Sequence, residues 1–367
     1  MSLSLPHLPR RLIIAREKAG LTQADLSKKI GIKDRQTIAS MESGQRRITV
    51  EELLAIMAAT GQEMDYFTDP FRLTGEAAFS YRASGVSDAV LDAFEEKAER
   101  WIATWRYLGE KRGESPGLMR QSLSINERSN FEEAQAAGES VGSLLELGAV
   151  PAEKLASAIE TQFGVLILHV DMPKGVSGAA CQLKNGDSIL VNRKEAEGRR
   201  NFDLAHELFH VLTWDALPPE RVDRENPSGS KQKRTEQMAD NFSGALLMPA
   251  TALKPLWDKS LGEEGLFDWL KATARHFHVS VSALKWRLVV LGWMSKKEAQ
   301  AIEDETYARE ELVRVPRLFS RQYMERIMWA VDRGEMSVNR IMELLDLDLD
   351  SLKELFFAHG VPYDIGL

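Results

Sequence analysis

The sequence predicts a predominantly helical α+β fold arranged in several domains. The chain has 367 residues, which is enough for two or three separate hydrophobic cores. Most of it carries apolar residues at helical spacing between cap and breaker residues. Residues 165–192 differ, because a short apolar run is followed by alternation around Asn185-Gly186, which is typical of a hairpin. We therefore expect an all-helical N-terminal domain, a central domain with a small antiparallel sheet, and a helical C-terminal module.

The composition is that of an ordinary globular protein, with 44% hydrophobic and 28% charged residues. No apolar run approaches the ~20 residues that a membrane-spanning helix needs, and the first residues lack the order of a signal peptide. The one cysteine, Cys181, excludes an internal disulfide and fits a reducing compartment. These features predict a cytoplasmic protein with no membrane partner.

Five short helices with tight connections are predicted for residues 7–68. Thr22 is a suitable N-cap with Asp25 three residues later, and Thr49 begins a further helix. Residues 7–47 contain ten Lys or Arg and four Asp or Glu, whereas the whole chain has a net charge of −8. A compact basic segment in an acidic protein is typical of a small DNA-reading module, although a solvated helix face has the same charge pattern.

One long charged helix dominates the segment that follows. Its apolar stripe includes Trp101 and Trp105, and it would either pack against a neighbouring domain or supply the interface of a homodimer. Breaker residues predict boundaries near residues 70 and 117. A third boundary is expected near residue 300, where a predicted helical stretch ends. The expected segments are therefore a first domain, a linker helix, a central domain and a C-terminal module, at residues 1–70, 71–117, 118–300 and 301–367.

The stretch His206-Glu207-Leu208-Phe209-His210 lies in a predicted helix. Because residues four apart share a helix face, His206 and His210 can both direct a ring nitrogen at one ion. Glu207 then lies beside the ion, where it can take a proton from water. A catalytic zinc needs a third protein ligand, for which we select Glu236, early on a later helix. Asp240, on the same face, is expected to accept a hydrogen bond from a ligand histidine.

A motif of this length also arises by chance, in roughly one chain in a hundred of this size. The helical context and the downstream Glu-x-x-x-Asp argue against coincidence. His276 and His278 are candidates for stabilising an oxyanion, although each also fits an ordinary surface or core histidine. His169 and Cys181 are expected to be structural.

The residues around this motif carry a family resemblance. The segments NFDLAHELFHVL and EQMADNFSGALLMP, with the preceding GVSGAACQLKNGDSILVN and the later VSVSALKWRLVVLGWM, resemble the ImmA/IrrE family of bacterial metallopeptidases. The resemblance covers about residues 150–295 and implies a zincin-like domain. In it, His206, His210 and Glu236 would bind Zn²⁺, and Glu207 would be the catalytic base. In related peptidases the strand before the catalytic helix often aligns the substrate as an added strand, here along residues 188–192.

The N-terminal segments LTQADLSKKIGI, DRQTIASMESG and RRITVEELLAIMAATG resemble an Xre-type helix-turn-helix. The resemblance implies a double-stranded DNA operator as partner, and a homodimer, since such modules usually bind paired half-sites. Three residues would contact bases: Gln36, Thr37 and Ser40. Four would lie near the phosphate backbone: Gln23, Arg35, Arg46 and Arg47. A helical packing or dimerisation domain is the alternative.

Taken together, the two resemblances predict a DNA-binding regulatory zinc metalloendopeptidase. Its substrate would be a regulatory protein, such as a repressor or a toxin–antitoxin partner, in a prophage or stress response. The alternative is a transcriptional regulator or antitoxin whose peptidase-like domain senses a ligand or partner without cleavage. The presence of Glu207 favours hydrolysis, because a domain without catalysis has no need of that carboxylate. No role is predicted for residues 301–367.

Overall fold

The computed structural model describes most of the chain. The described residues are 2–3, 5, 7–73, 77–83, 85–114, 121–183, 186–218, 221–223, 230–260, 265–302 and 315–362. They form two compact units: Met1–Ala77 with Glu96–Lys111, and Ala78–Glu95 with Arg112–Leu367. The predicted fold class, helical with a small sheet in the central region, is confirmed. No helix within these ranges has the length and hydropathy of a membrane span.

The first unit contains the five predicted N-terminal helices. They are α1 (Leu8–Lys18), α2 (Gln23–Lys29), α3 (Arg35–Glu42), α4 (Val50–Thr60) and α5 (Met64–Thr68). Thr22 and Thr49 form capping boxes at the starts of α2 and α4, as their spacing predicted. A short ladder joins β1 (Ser2–Leu3) to β2 (Ile48–Thr49) in antiparallel fashion. The helices enclose a small apolar core that includes Leu12, Leu26, Ile38, Leu53 and Phe67.

The second unit is built on a five-stranded sheet. Its strands are β3 (Ala78–Ala83), β4 (Leu166–Val170), β5 (Val176–Gln182), β6 (Ser188–Asn192) and β7 (Arg221–Asp223), in the spatial order β4-β6-β5-β3-β7. The predicted hairpin is present as the antiparallel pair β5–β6. The sheet is mixed in detail, because the pairs β4–β6 and β3–β7 are parallel.

Strand β6 lies inside the sheet. It pairs with β4 on one edge and with β5 on the other, so its backbone groups are used on both sides. The expectation that a substrate would add along residues 188–192 is therefore wrong. The physical reason is the parallel addition of β4, which precedes the hairpin in the chain. Strand β3, within the segment expected to be a linker, was not indicated by the sequence pattern.

The second unit also contains many helices. After α6 (Asp88–Lys111), which contributes to both units, come α7 (Phe131–Leu144), α8 (Leu155–Ala158), α9 (Glu197–Thr213), α10 (Ser230–Leu247), α11 (Ala250–Ser260), α12 (Leu266–His276), α13 (Val281–Val290) and α14 (Lys296–Ala301). Of these helices, α9 packs against strands β5 and β6. The C-terminal helices are α15 (Arg321–Asp332), α16 (Val338–Leu345) and α17 (Leu349–Ala358). Trp101 of α6 is only 4% exposed, so this part of the stripe is core in the single chain and provides no free dimer surface.

Helix α10, which carries two residues of the candidate site, packs closely against α7. Gly138 of α7 makes this approach possible, because a Cβ there would lie 2.4 Å from the carbonyl oxygen of Phe242. Gly142, one turn later on α7, has a Cβ position at ordinary contact distance from Leu246, 3.5 Å from its side-chain end and 3.8 Å from its carbonyl oxygen. The two glycines therefore differ in how much room they leave.

Gly138→Ala should lower the free energy of unfolding by about 1–3 kcal/mol, because the added methyl collides with backbone and forces α7 and α10 apart. The same change on the same helix, Gly142→Ala, is the matched control. It should be neutral or raise stability by up to ~1 kcal/mol through helix propensity. Urea denaturation followed by circular dichroism measures both variants, and equal stability of the two would contradict this account of the interface.

Candidate metal centre

Helix α9 carries the His-Glu-x-x-His motif into the interior of the second unit. All its residues from Asp203 to Thr213 are buried, between strands β5 and β6 and helix α10. Gly198, in the first turn of the helix, packs against the backbone of Val279 and Ser280. A Cβ on Gly198 would lie 2.4 Å from the carbonyl carbon of Val279, so only glycine allows this approach of two backbones.

Three predicted ligands converge on one point. The Nε2 atoms of His206 and His210 are 3.1 Å apart. The carboxylate of Glu236 on α10 lies 3.1 Å from Nε2 of His206 and 3.4 Å from Nε2 of His210. Among the described residues, these three form the group of potential metal ligands with all ligand atoms within 4.8 Å of one another.

This geometry fits a tetrahedral ion. Bonds of about 2.0–2.1 Å from zinc place neighbouring tetrahedral ligand atoms about 3.3 Å apart, close to the three separations in the protein. Two carboxylates near two imidazoles also leave the site short of positive charge, which a divalent cation would supply. Both the donor set and its spacing therefore suit a zinc-type ion with a fourth position left for water.

Asp240 occupies the place predicted for it. Its Oδ1 lies 3.0 Å from Nδ1 of His206, on the far side of the ring from the other ligands. A proton on Nδ1 that is donated to this carboxylate leaves the Nε2 lone pair directed at the ion. Because Glu236 and Asp240 are four residues apart on α10, one helix supplies both the third ligand and the group that orients the first.

Glu207 points into the interior beside the ligands. Its side chain is 1% exposed, and neither carboxylate oxygen has a hydrogen-bond partner among the described residues. A buried carboxylate without a partner is costly, so its presence indicates a ligand or water that the site is built to receive. Gly178 of β5 makes room for it, since a Cβ there would lie 3.1 Å from Glu207 Cγ and Oε1.

Gly178 is a residue of the site that was not among those predicted from the sequence. Its signal was available, because a glycine inside a strand pattern often marks a close approach of another group. What the sequence could not supply was the partner, since β5 and α9 are separated along the chain and their contact is a tertiary one.

The electrostatic environment shifts the pKa values of Glu207 and Glu236 in opposite directions. Burial raises the pKa of the Glu207 carboxyl, and the imidazoles of His210 and His206 oppose that effect only in part. Burial acts in the same direction on Glu236, but hydrogen bonds and charge from His206 and His210 outweigh it and lower the pKa of that carboxyl. Glu236 is therefore held as the ionised ligand.

The remaining histidines and the cysteine lie elsewhere in the fold. His278 directs Nδ1 at Glu197, 3.2 Å away, and its carbonyl accepts a hydrogen bond from Asn201. His276 is exposed, with its ring against Phe277. Burial lowers the pKa of His169 on β4 to about 4, so it is a neutral structural residue, and Cys181 is a buried thiol in β5.

In the first unit, the predicted base-contacting residues lie on α3. Gln36 is exposed near the start of this helix, with Thr37 beside it, and the Ser40 hydroxyl donates to the Gln36 carbonyl at 2.8 Å. Of the predicted phosphate contacts, Arg47 is exposed, whereas Arg46 forms an ion pair with Glu52 at 2.7 Å. Their contacts with DNA remain predictions.

A hydrogen-bond chain connects α2 to α3. Nε of Arg35 donates to Gln23, whose amide donates to Glu42 at 2.8 Å. Glu42 also forms an ion pair with Arg16 at 2.6 Å, and both of those side chains are largely buried. The predicted phosphate contacts Gln23 and Arg35 therefore already have partners within the unit, which fix the ends of the two helices relative to each other.

Comparison with known families assigns both regions. The model of the IrrE N-terminal-like domain, a peptidase family, matches residues 160–289, and the helix-turn-helix model matches residues 12–67. Searches of curated proteins and of solved structures gave no match. The first match contains every residue of the candidate centre. The chain thus joins a helix-turn-helix domain to a peptidase-type domain, as the two resemblances predicted.

We expect the full-length protein to hold one equivalent of a divalent metal after dialysis against buffer, measured by elemental analysis by mass spectrometry. His210→Ala should lose that equivalent, because two ligands cannot retain the ion against water. His276→Ala removes an exposed histidine and is the matched control, which should keep its metal. A His210→Ala protein that retains a full equivalent contradicts the ligand assignment.

Proposed function

We propose that the protein is a DNA-binding regulatory zinc metallopeptidase. In this proposal it hydrolyses peptide bonds in another regulatory protein, such as a repressor or a toxin–antitoxin partner. The observation that carries the proposal is the convergence of His206, His210 and Glu236 beside Glu207, a buried carboxylate without a protein partner. The peptidase-family match over the same residues supports it, and the helix-turn-helix match supports a DNA partner.

Different side chains of the site would bind the zinc ion and orient its histidine ligand. His206, His210 and Glu236 would hold the zinc ion, and Asp240 would keep His206 in the tautomer that binds it. When bound, zinc supplies a Lewis acid that polarises the scissile carbonyl and makes water a better nucleophile at neutral pH. The packing of α9 against β5 and α10 holds these groups in place before substrate arrives.

Glu207 supplies the proton transfers. Its carboxylate accepts a proton from the attacking water, whose oxygen forms a bond to the carbonyl carbon of the substrate. The same group then delivers that proton to the amide nitrogen as the C–N bond breaks. Water is consumed, and the products are one carboxylate and one amine, so no oxidant, reductant or further co-reactant is required.

Glu207→Gln should retain the metal but lower the rate of peptide hydrolysis at least a hundredfold, because the amide cannot accept the water proton. Glu197→Gln, at an exposed position in the first turn of the same helix, is the control and should keep its activity. The measurement is the appearance of new N-termini in a proteome-derived peptide mixture, read by mass spectrometry. If no metal-loaded form of the protein with Glu207 intact releases new N-termini, a regulator that senses without cleavage replaces the peptidase proposal.

For DNA, Gln36→Ala should change which duplexes are selected from a random pool, because that side chain is expected to read bases. Arg47→Ala should instead weaken binding to all sequences and reduce the slope of log affinity against log salt by about one charge. Arg275→Ala, an exposed arginine of α12 in the other unit, is the control. Unchanged selection and affinity in both variants would reject the assigned reading face.

A further inference from the structure

The strand nearest to the proposed catalytic base is β5. Its residue Gly178 has the Cβ position 3.1 Å from Glu207 Cγ and Oε1, closer than an ordinary contact. Neighbouring strands in a sheet lie about 4.8 Å apart. A peptide that joined β5 as an added strand would therefore run within one strand spacing of the backbone that touches Glu207, which is where a substrate of this centre has to lie.

That edge of β5 is already occupied by β3. The two strands are antiparallel, with Ser80 opposite Ala180 and Arg82 opposite Gly178. On its other edge β3 pairs with β7 in parallel fashion. Residues 78–83 thus fill a slot one strand wide, at the level of the candidate centre.

The origin of β3 separates it from its neighbours. Strands β4, β5, β6 and β7 all fall within residues 160–289, which match the IrrE N-terminal-like domain, whereas β3 precedes that match by more than seventy residues. Among the described strands of this sheet, β3 alone comes from outside the matched segment. Strand β3, which comes from outside the matched segment, therefore lies between β5 and β7 of the peptidase-type domain, in the position that an added peptide would take.

The two faces of β3 differ in a way that suits a resident peptide. Tyr81 is buried and packs against the rings of Phe79 and Phe94, on the face opposite to Gly178. Ser80, opposite Ala180, shares the face on which α9 lies and is small and buried. The aromatic anchors thus lie on the face away from the centre, and the short Ser80 lies on the α9 face, two residues along β3 from Arg82, the register partner of Gly178.

The α9 side of the centre is closed, whereas the third ligand is partly open. His206, Glu207 and His210 are each no more than 2% exposed, but the Glu236 side chain on α10 is 21% exposed. A peptide therefore reaches Glu207 only after a rearrangement. A strand tethered within the same chain competes at an effective concentration in the millimolar range, well above that of a protein substrate in solution. Occupation by β3 is therefore expected to exclude substrate until the strand is released.

We infer that β3 occupies the substrate-binding edge of β5, and that the substrate class is an extended peptide segment that pairs antiparallel with β5 after β3 leaves. The inference rests on the proposed peptidase function for its biological meaning. Its geometric content, one edge that β3 and an external peptide share in competition, can be tested without any cleavage.

A single substitution locks the strand. Phe79 is directly opposite Cys181, the one cysteine of the chain, and cross-strand pairs have the Cα separation that a disulfide requires. Phe79→Cys should therefore crosslink β3 to β5 on oxidation and release it on treatment with a phosphine reductant. The double variant Phe79→Cys with Cys181→Ala carries the same new thiol without a partner and is the matched control.

The probe is a fluorescein-labelled peptide with the sequence of residues 77–83, Ala-Ala-Phe-Ser-Tyr-Arg-Ala, added to metal-free chains that also carry Glu207→Gln. The reduced Phe79→Cys protein should bind it at least tenfold more tightly than the oxidised protein, by fluorescence anisotropy. The control should bind equally under both conditions. Equal binding by the locked and reduced forms would show that the peptide binds elsewhere and overturns the inference.

A second variant tests the inference if the Phe79→Cys substitution or its disulfide with Cys181 perturbs folding. Tyr81→Ala removes the main anchor of β3 on the far face, so it should bind the probe at least tenfold more tightly than the parent chain. Absence of binding by both Tyr81→Ala and the reduced Phe79→Cys protein overturns the inference.

Peptide hydrolysis provides a separate test of the inference. With Glu207 intact and metal present, oxidation of Phe79→Cys should lower turnover of the peptide mixture at least tenfold, and reduction should restore it. Equal turnover in both redox states overturns the inference and leaves the peptidase proposal standing. If no form hydrolyses peptides, the peptidase proposal fails, and the binding result still decides what occupies β5.

Discussion

The burial of an ionisable face of helix α9 is the constraint on which the second unit depends. His206, Glu207 and His210 point inward, where an uncompensated charge is unfavourable by several kcal/mol. Compensation has to come from neighbouring elements. Helix α10 contributes an acid pair at helical spacing, and β5 contributes a glycine that leaves space for a carboxylate. Close packing at Gly138 and Gly198 then holds those elements at the required distances, so packing and chemistry are specified together.

The sequence predicted the parts of this arrangement that depend on local spacing. His206 and His210 share a face because a helix repeats every 3.6 residues, and the same rule pairs Glu236 with Asp240. The hairpin and the capping boxes are likewise local. Strand partners are not, which is why the sequence indicated neither β3 nor the internal position of β6. Strand β3 pairs with β5 across more than ninety residues, and β4 pairs with β6 across 22 residues. Such pairings depend on which strand edges the other strands leave free, and short segments do not encode that.

The first unit shows the same division between local and distant information. Basic residues on short helices were expected to face DNA, and the exposed Gln36 and Arg47 fit that expectation. Gln23, in contrast, has a partner within the unit. Glu42 binds both Gln23 and the largely buried Arg16, and so it joins α1, α2 and α3. The charge of the segment shows only that it is basic. The structure distinguishes the residues whose side chains hold the helices together from the exposed residues that can contact a partner.

The place of β3 in the chain gives the two halves of the proposed function a physical connection. Strand β3 begins ten residues after helix α5 ends, so the segment that would occupy the substrate edge directly follows the helix-turn-helix domain. A signal can release such a strand only by binding the released state more tightly than the paired state. Because coupling is reciprocal, a substrate peptide that displaced β3 would change that signal's affinity by the same factor. The activity of a peptidase controlled in this way depends on the difference in free energy between two strand pairings, β3 with β5 and substrate with β5, each built from the same few backbone hydrogen bonds. A shift of about 1.4 kcal/mol in that difference changes the population of the open state tenfold.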